Sequence, residues 1–267
     1  MADHRGIVVE RLSDHPDVVT IRLDRPEARN ALTFAMYADL EAAIRHAATD
    51  GTRCIVITGS DPAFCSGDDV RQVMGGGAEG AAPIERADRA PRLTPAADAL
   101  LHTDVPVIAA VNGAAVGWGM ELAMMADIRV ASERAKFGEL FVLRGLVSDV
   151  AGLGRLAQLI GRERAAELLF TGEVIDATTA SGIGLVSRVV PHDQLLPSAF
   201  ALADRIAANP PLAVQALKRG LRRALDPDWT ELGAWVSSTL GELFATADHR
   251  EGVRAFLERR PARFVGR

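Results

Sequence analysis

The residues of this 267-residue chain best suited to chemistry lie in two glycine-bearing turns and two isolated carboxylates. The first turn is Ala63-Phe-Cys-Ser-Gly-Asp-Asp-Val70, directly after an apolar run. The second is Asn112-Gly-Ala-Ala-Val-Gly-Trp-Gly-Met-Glu121, inside the apolar stretch from Val107 to Asp127. Each sets glycine where a strand ends and a helix begins, and a helix N-terminus leaves backbone N–H groups unpaired. Two such turns meeting at one point would make an oxyanion hole. Taken one at a time, each turn is better explained by glycine permitting close strand–helix packing. Glu121 opens an apolar helix and is expensive to bury without a purpose or a partner. Asp149, in Gly145-Leu-Val-Ser-Asp-Val-Ala-Gly-Leu-Gly-Arg-Leu156, stands between apolar residues beside a glycine turn. Such surroundings raise a carboxyl toward neutrality, where it can accept or return protons. The competing role for Asp149 is N-cap of a helix through Leu153 and Ile160.

These motifs do not stand alone. With Arg25-Pro-Glu-Ala-Arg-Asn-Ala-Leu32 before them and Phe137-Gly-Glu139 after, the chain resembles the crotonase (enoyl-CoA hydratase/isomerase) superfamily. The resemblance continues through Thr171-Gly-Glu, Gly184-Leu-Val-Ser-Arg-Val-Val190 and the segment from Asp248 to Phe256. A dinucleotide fold is the rival suggested by glycines after a strand, but Gly113-Ala-Ala-Val-Gly117 does not fit Gly-x-Gly-x-x-Gly, and no Walker motif is present. The resemblance implies an α/β fold: a spiral core of repeated ββα units over residues 1–195, carrying an acyl-CoA site. A helical C-terminal oligomerisation region, residues 196–267, would follow. It also implies a homotrimer or dimer of trimers acting on an acyl-CoA thioester, with no cofactor beyond the coenzyme A of the substrate.

By motif position the resemblance assigns the oxyanion donors to the amides of Asp68 and Trp118. Ser66, Gly67 and Asp69 would line the neck of the CoA site, with Arg71 toward the nucleotide end. Arg25 and Arg29 are candidates for phosphate contact, and Phe256 and Arg259 would complete a neighbour's CoA site. Glu121 matches one of the two glutamates of enoyl-CoA hydratases. The other falls on Phe141 and is therefore absent. Glu139, two residues earlier, is displaced by roughly 6–7 Å along an extended chain and does not replace it, so it reads as a surface or structural glutamate. Asp149 matches the catalytic aspartate of dienoyl-CoA and ring-epoxide acyl-CoA isomerases. The second oxyanion position is usually glycine in this family and is Trp118 here. Any residue but proline can donate a backbone N–H, so the hole survives unless the position demands positive φ. The indole then either narrows the acyl pocket or packs away from it.

The expected activity is that of an enoyl-CoA hydratase or double-bond isomerase working through a thioester enolate. The alternatives are a non-catalytic CoA-thioester-binding subunit and a hydrolase of an unusual acyl-CoA.

The elements that must position these groups are legible in the pattern. Val18 to Leu23 reads as a strand. Thr33 to Thr49 reads as a helix, with Thr33 as N-cap and Tyr37, Leu40, Ile44 and Ala47 on one face. Cys54 to Thr58 and Val105 to Val111 read as buried strands. Residues 70–94 are rich in glycine and proline and read as an active-site cover or as disorder. From Leu196 the chain is helical, broken at Asn209-Pro-Pro211 and Asp226-Pro227, and Val253, Phe256 and Leu257 share a face of the last helix. Asp127 is expected to cap or anchor the strand that follows it.

Composition limits the other possibilities. Apolar residues are 48% and charged residues 24%, as in ordinary globular chains. The net charge of −5 leaves no global basic field for a nucleic acid, and the basic clusters near Arg219–Arg223 and Arg259–Arg267 read as solvated faces. The apolar stretch from Val105 to Ala126 is interrupted by Asn112, glycines and Glu121 and does not read as a membrane span. Two cysteines and six scattered histidines show no metal-ligand spacing. Cys65 has no histidine in the motifs to activate it as a nucleophile. The N-terminal residues lack the apolar run of a signal peptide, so the expected setting is the cytoplasm.

Overall fold

The computed structural model describes residues 6–69, 72, 93–224, 246–258 and 260–267. Nearly all of the Gly/Pro-rich stretch at 70–94, and the Asp226-Pro227 break, lie outside the described residues, as do Arg71 and Arg259. The chain opens with β1 (Ile7–Glu10) and β2 (Val18–Leu23). Helix α1 (Phe34–Ala47) follows, with the Thr33 side chain accepting from the Met36 N–H. Next come β3 (Cys54–Gly59), β4 (Ala63–Cys65), α2 (Pro95–His102), β5 (Val107–Val111), β6 (Ala114–Val116) and α3 (Trp118–Met125). Then follow β7 (Ile128–Ser132), β8 (Lys136–Gly138) and three short helices: α4 (Val150–Gly154), α5 (Leu156–Ile160) and α6 (Arg162–Thr171). The described chain closes with β9 (Val174–Asp176), α7 (Ala177–Gly182), β10 (Arg188–Val190), α8 (Leu195–Ala207), α9 (Pro211–Arg223) and α10 (Ala247–Glu258).

The strands form two sheets, one in the order β1-β2-β3-β5-β7-β10 and one in the order β4-β6-β8-β9. Apart from the antiparallel β1 and β9, neighbours run parallel. Three times a long strand of the first sheet bends within a few residues into a short strand of the second: β3 into β4, β5 into β6, β7 into β8. This is the expected ββα spiral. The bends need residues without side-chain bulk, since a Cβ on Gly113 would lie 2.3 Å from the Pro62 carbonyl oxygen. The buried Asn30 side chain holds one bend by donating to the carbonyls of Ser60 and Ala63, both at 2.7 Å.

The central strands are apolar throughout because both faces are covered. Val19, Ile21, Ile55, Ile57, Val107 and Ala109 face a core closed by α1, α2 and α3. Val18, Cys54, Val56, Ile108 and Ala110 face the other way, against Leu195, Ala199, Phe200 and Ala203 of α8. The strand expected from Val105 begins at Val107, since Pro106 has no N–H for the ladder. The helix expected over Leu153–Ile160 is two short helices meeting at Arg155. No helix among the described residues is long and apolar enough to cross a membrane.

Candidate active site

The site forms where the two glycine turns touch. The first follows β4, and its backbone is clamped to the start of α1: the Leu32 N–H donates to the Gly67 carbonyl at 2.8 Å, and the Asp69 N–H to the Leu32 carbonyl at 2.9 Å. Gly67 has φ +90°. A Cβ there would stand 3.0 Å from the Val116 carbonyl oxygen and 3.3 Å from the Trp118 nitrogen, so only glycine brings the turns this close. Gly119 does the same from the other side, since a Cβ on it would meet the Cys65 carbonyl oxygen at 2.1 Å. The positive φ at the second turn falls on Gly117, at +55°, while Trp118 begins α3. The tryptophan therefore carries no backbone strain, and its amide belongs to the turn of a helix that has no intrahelical acceptor.

The Trp118 side chain is buried, 4% exposed, and its indole N–H donates to Asp149 Oδ2 at 3.1 Å. The indole meets the Tyr37 ring edge to face, with centroids 4.7 Å apart and planes at 88°. The Tyr37 hydroxyl in turn donates to Asp68 Oδ1 at 2.6 Å. Burial and the adjacent Asp68 push the Tyr37 phenol well above its ordinary value, so it remains a donor. Asp149 also stands immediately before α4, where its carbonyl accepts from the Leu153 N–H at 3.2 Å. The aspartate thus starts a helix with its backbone while its side chain turns to the indole.

Glu121 and Glu139 are both fully buried. Glu121 Oε2 accepts from the Gly152 N–H of α4 at 2.8 Å, and Glu139 Oε2 accepts from the Ser148 hydroxyl at 3.1 Å. Oε1 of each carboxyl has no hydrogen-bond partner among the described residues. Burial, reinforced by Asp149, raises the Glu121 carboxyl to about 7 against the opposing pull of the Gly152 N–H. Burial and then the charge of Glu121 raise Glu139 to about 9. The surface reading of Glu139 is therefore corrected: directly after β8 it joins Glu121 and Asp149 in one carboxylate cluster. Its one sequence clue was proximity to Phe137-Gly138; nothing local to it required burial. Ser148 and Tyr37 also escaped the sequence reading, Tyr37 because it lies on the core face of α1 like any packing residue.

Helix α3 carries Trp118 and Glu121 and is anchored at both ends. At its C-terminus Arg155 donates to the carbonyls of Met124, Met125 and Ala126 at 3.0–3.1 Å, and Arg129 adds a bond to Ala126 at 2.9 Å. Cations there also match the negative end of the helix dipole. Asp127, expected to serve β7, which follows it, instead anchors the start of β5: Oδ2 accepts from the Val107 N–H at 2.8 Å and from Lys218 Nζ at 2.6 Å.

A cleft between the turns is lined by Ser66, Gly67, Asp68, Gly117, Trp118, Leu140, Phe141 and Arg144. Of the residues expected to line a CoA neck, Asp69 is ion-paired with Arg25 at 2.6 Å, so the charge of Arg25 is already matched. Arg29 is exposed, with φ +52°. Phe256 lies in α10. Burial pushes the Cys65 thiol up to about 12, so it stays protonated and is no nucleophile. Among the described residues no group of three His, Cys, Asp or Glu side chains is arranged to hold a metal ion.

Comparison with known proteins agrees with this geometry. Residues 14–267 match the family described as enoyl-CoA hydratase/isomerase. The chain is 37% identical to the 2,3-dehydroadipyl-CoA hydratase of Escherichia coli (strain K12), covering 94% of this chain and 96% of that protein. It is 34% identical to the crotonyl-CoA hydratase of Syntrophomonas wolfei, covering 99% of each. The crystal structure of an enoyl-CoA hydratase from Bacillus anthracis superposes with a TM-score of 0.89 at 31% identity, covering 98% of this chain and all of that one.

Proposed function

Because the chain belongs to the enoyl-CoA hydratase/isomerase family, we propose that it shifts the double bond of an enoyl-CoA thioester through an enolate held by the amides of Asp68 and Trp118. The observation that carries this reading is the close approach of the two turns, where a Cβ on Gly67 would stand 3.3 Å from the Trp118 nitrogen, with the Asp149 carboxylate bonded to the indole of the same tryptophan. Asp149 takes a proton from Cα of a 3-enoyl thioester, and the C–H electron pair moves into a dienolate whose oxygen is held by the two N–H groups. Glu121, about half protonated near pH 7, delivers a proton to Cγ, and the electrons return to form the Cα=Cβ double bond. The substrate loses one proton and gains one. Asp149 ends protonated and Glu121 ionised, so a proton passes from Asp149 to Glu121, directly or by way of solvent, before the next turnover.

Hydration is the second reading, favoured by the names of the hydratase relatives. In it the same two carboxylates hold and activate a water for addition at Cβ of a 2-enoyl thioester. Phe141, standing where the resemblance places the second hydratase glutamate, weighs against it. On either reading Ser66, Gly67 and Asp69 form the CoA neck, Arg29 is the better-placed phosphate partner than the already paired Arg25, and no resident cofactor is required. The exposed apolar residues Leu143, Val147, Leu153 and Phe170 support assembly into a trimer or dimer of trimers, which light scattering tests. Two free, buried thiols are in keeping with a reducing cytoplasm.

The deciding experiment incubates purified protein with trans-3-enoyl-CoA and, separately, trans-2-enoyl-CoA, with products resolved by mass. Conversion of the 3-enoyl thioester without mass change supports isomerisation. Gain of one water by the 2-enoyl thioester establishes hydration instead. Asp149→Asn removes turnover on either reading, and retained turnover refutes the role given to Asp149.

A further inference from the structure

We infer that the Trp118 indole is a positioning residue that aims the Asp149 carboxylate at the substrate, so that this one residue serves the oxyanion with its amide and the base with its side chain. The inference rests on the reading of Asp149 as the base. An indole N–H can donate but cannot accept. Buried at 4% exposure, it has to find an acceptor, and the one it finds is Asp149 Oδ2 at 3.1 Å. Holding one carboxylate oxygen fixes the plane of the group and hence the direction of Oδ1.

The indole is itself fixed. Its backbone starts α3 against Gly67, and its ring is set by the edge-to-face contact with Tyr37, whose hydroxyl is bonded to Asp68. A continuous chain of contacts, Asp68 to Tyr37 to Trp118 to Asp149, therefore links both proposed oxyanion residues to the base. A smaller residue at position 118 could supply the amide but not this link.

The indole also separates the roles of neighbouring acids. The titratable groups around Asp149 are Glu121 on α3, Glu139 after β8 and Tyr37 on α1. The two glutamates take their hydrogen bonds from Gly152 and Ser148, whereas Asp149 alone takes one from the indole at the cleft. The indole thus gives Asp149 a side-chain donor at the cleft that neither glutamate shares.

The test compares Trp118→Phe, Trp118→Gln and Asp149→Asn with the parent enzyme. Two signals are read: turnover of trans-3-enoyl-CoA and trans-2-enoyl-CoA, and exchange of the Cα hydrogen of butyryl-CoA in D2O, which reports enolate formation whatever the product. Trp118→Phe keeps the amide and the aromatic contact but loses the N–H. Its kcat and exchange rate are expected to fall about ten- to a hundredfold with KM little changed. Trp118→Gln, which regains an N–H donor, is expected to recover part of the rate. If Trp118→Phe matches the parent in kcat, KM and exchange rate while Asp149→Asn is inactive, the indole has no positioning role. If Asp149→Asn retains the parent's rates, or the parent itself shows neither turnover nor exchange, the reading of Asp149 fails and the inference falls with it. Should Trp118→Phe not fold, Trp118→Gln against Trp118→Met makes the same comparison at similar length, and equal rates overturn the proposal.

Discussion

Glu139→Gln separates a buried neutral acid from a buried charge, and its effect on stability is calculable. The Glu139 carboxyl is fully buried, and its ordinary value of 4.5 is raised to about 9 by burial first and the Glu121 charge second. A raised value means that the folded chain holds this proton more tightly than the unfolded chain. Between the two values the folded state carries more protons, so stability is full below about pH 4.5 and is lost as pH climbs toward 9. Each pH unit inside that window costs about 1.4 kcal/mol. From pH 5 to pH 8 the parent should therefore lose about 4 kcal/mol through this group. Glutamine keeps an oxygen to accept from Ser148 and carries no proton to lose. The variant should match the parent near pH 5 and exceed it progressively, by several kcal/mol at pH 8. Urea unfolding at matched protein concentration across this range measures the difference directly. A difference between variant and parent that stays flat from pH 5 to pH 8 would refute the assignment of a protonated Glu139, and with it the argument from burial.

Three further substitutions probe how the site is held. Gly67→Ala forces a side chain into φ +90° and 3.0 Å from the Val116 carbonyl oxygen; it should cost about 1–3 kcal/mol in urea unfolding and lower kcat at least tenfold by parting the two turns. Gly152→Ala places a methyl 2.7 Å from Glu121 Oε1 and 2.8 Å from Ser148 Cβ, so Glu121 must move; about 1–3 kcal/mol of stability and most of the turnover should be lost, read by melting and by the mass-resolved assay. Tyr37→Phe removes the 2.6 Å donor to Asp68 and should lower stability by about 1–3 kcal/mol, seen as a lower melting temperature.

Local features of the sequence carried much of the fold. Thr33 before an apolar 3.6-residue period starts α1 at Phe34, and strands covered on both faces show as unbroken apolar runs such as Cys-Ile-Val-Ile. The two glycine turns were legible for the same reason: glycine marks a backbone that must turn sharply or be approached closely, and that demand is written at the residue itself.

What Trp118, Glu139 and Tyr37 do was decided elsewhere in the chain. Trp118 and Asp149 are 31 residues apart, as are Tyr37 and Asp68, and each pair meets only because α3 and α1 pack against the turns. Glu139 sits among charged and apolar neighbours that would suit a surface as well as a core. Its burial follows from where the turn after β8 folds against α3, and its proton follows from that burial. A side chain's partner and its charge state are set by whatever occupies the surrounding few ångströms, and for these residues that space is filled by distant segments.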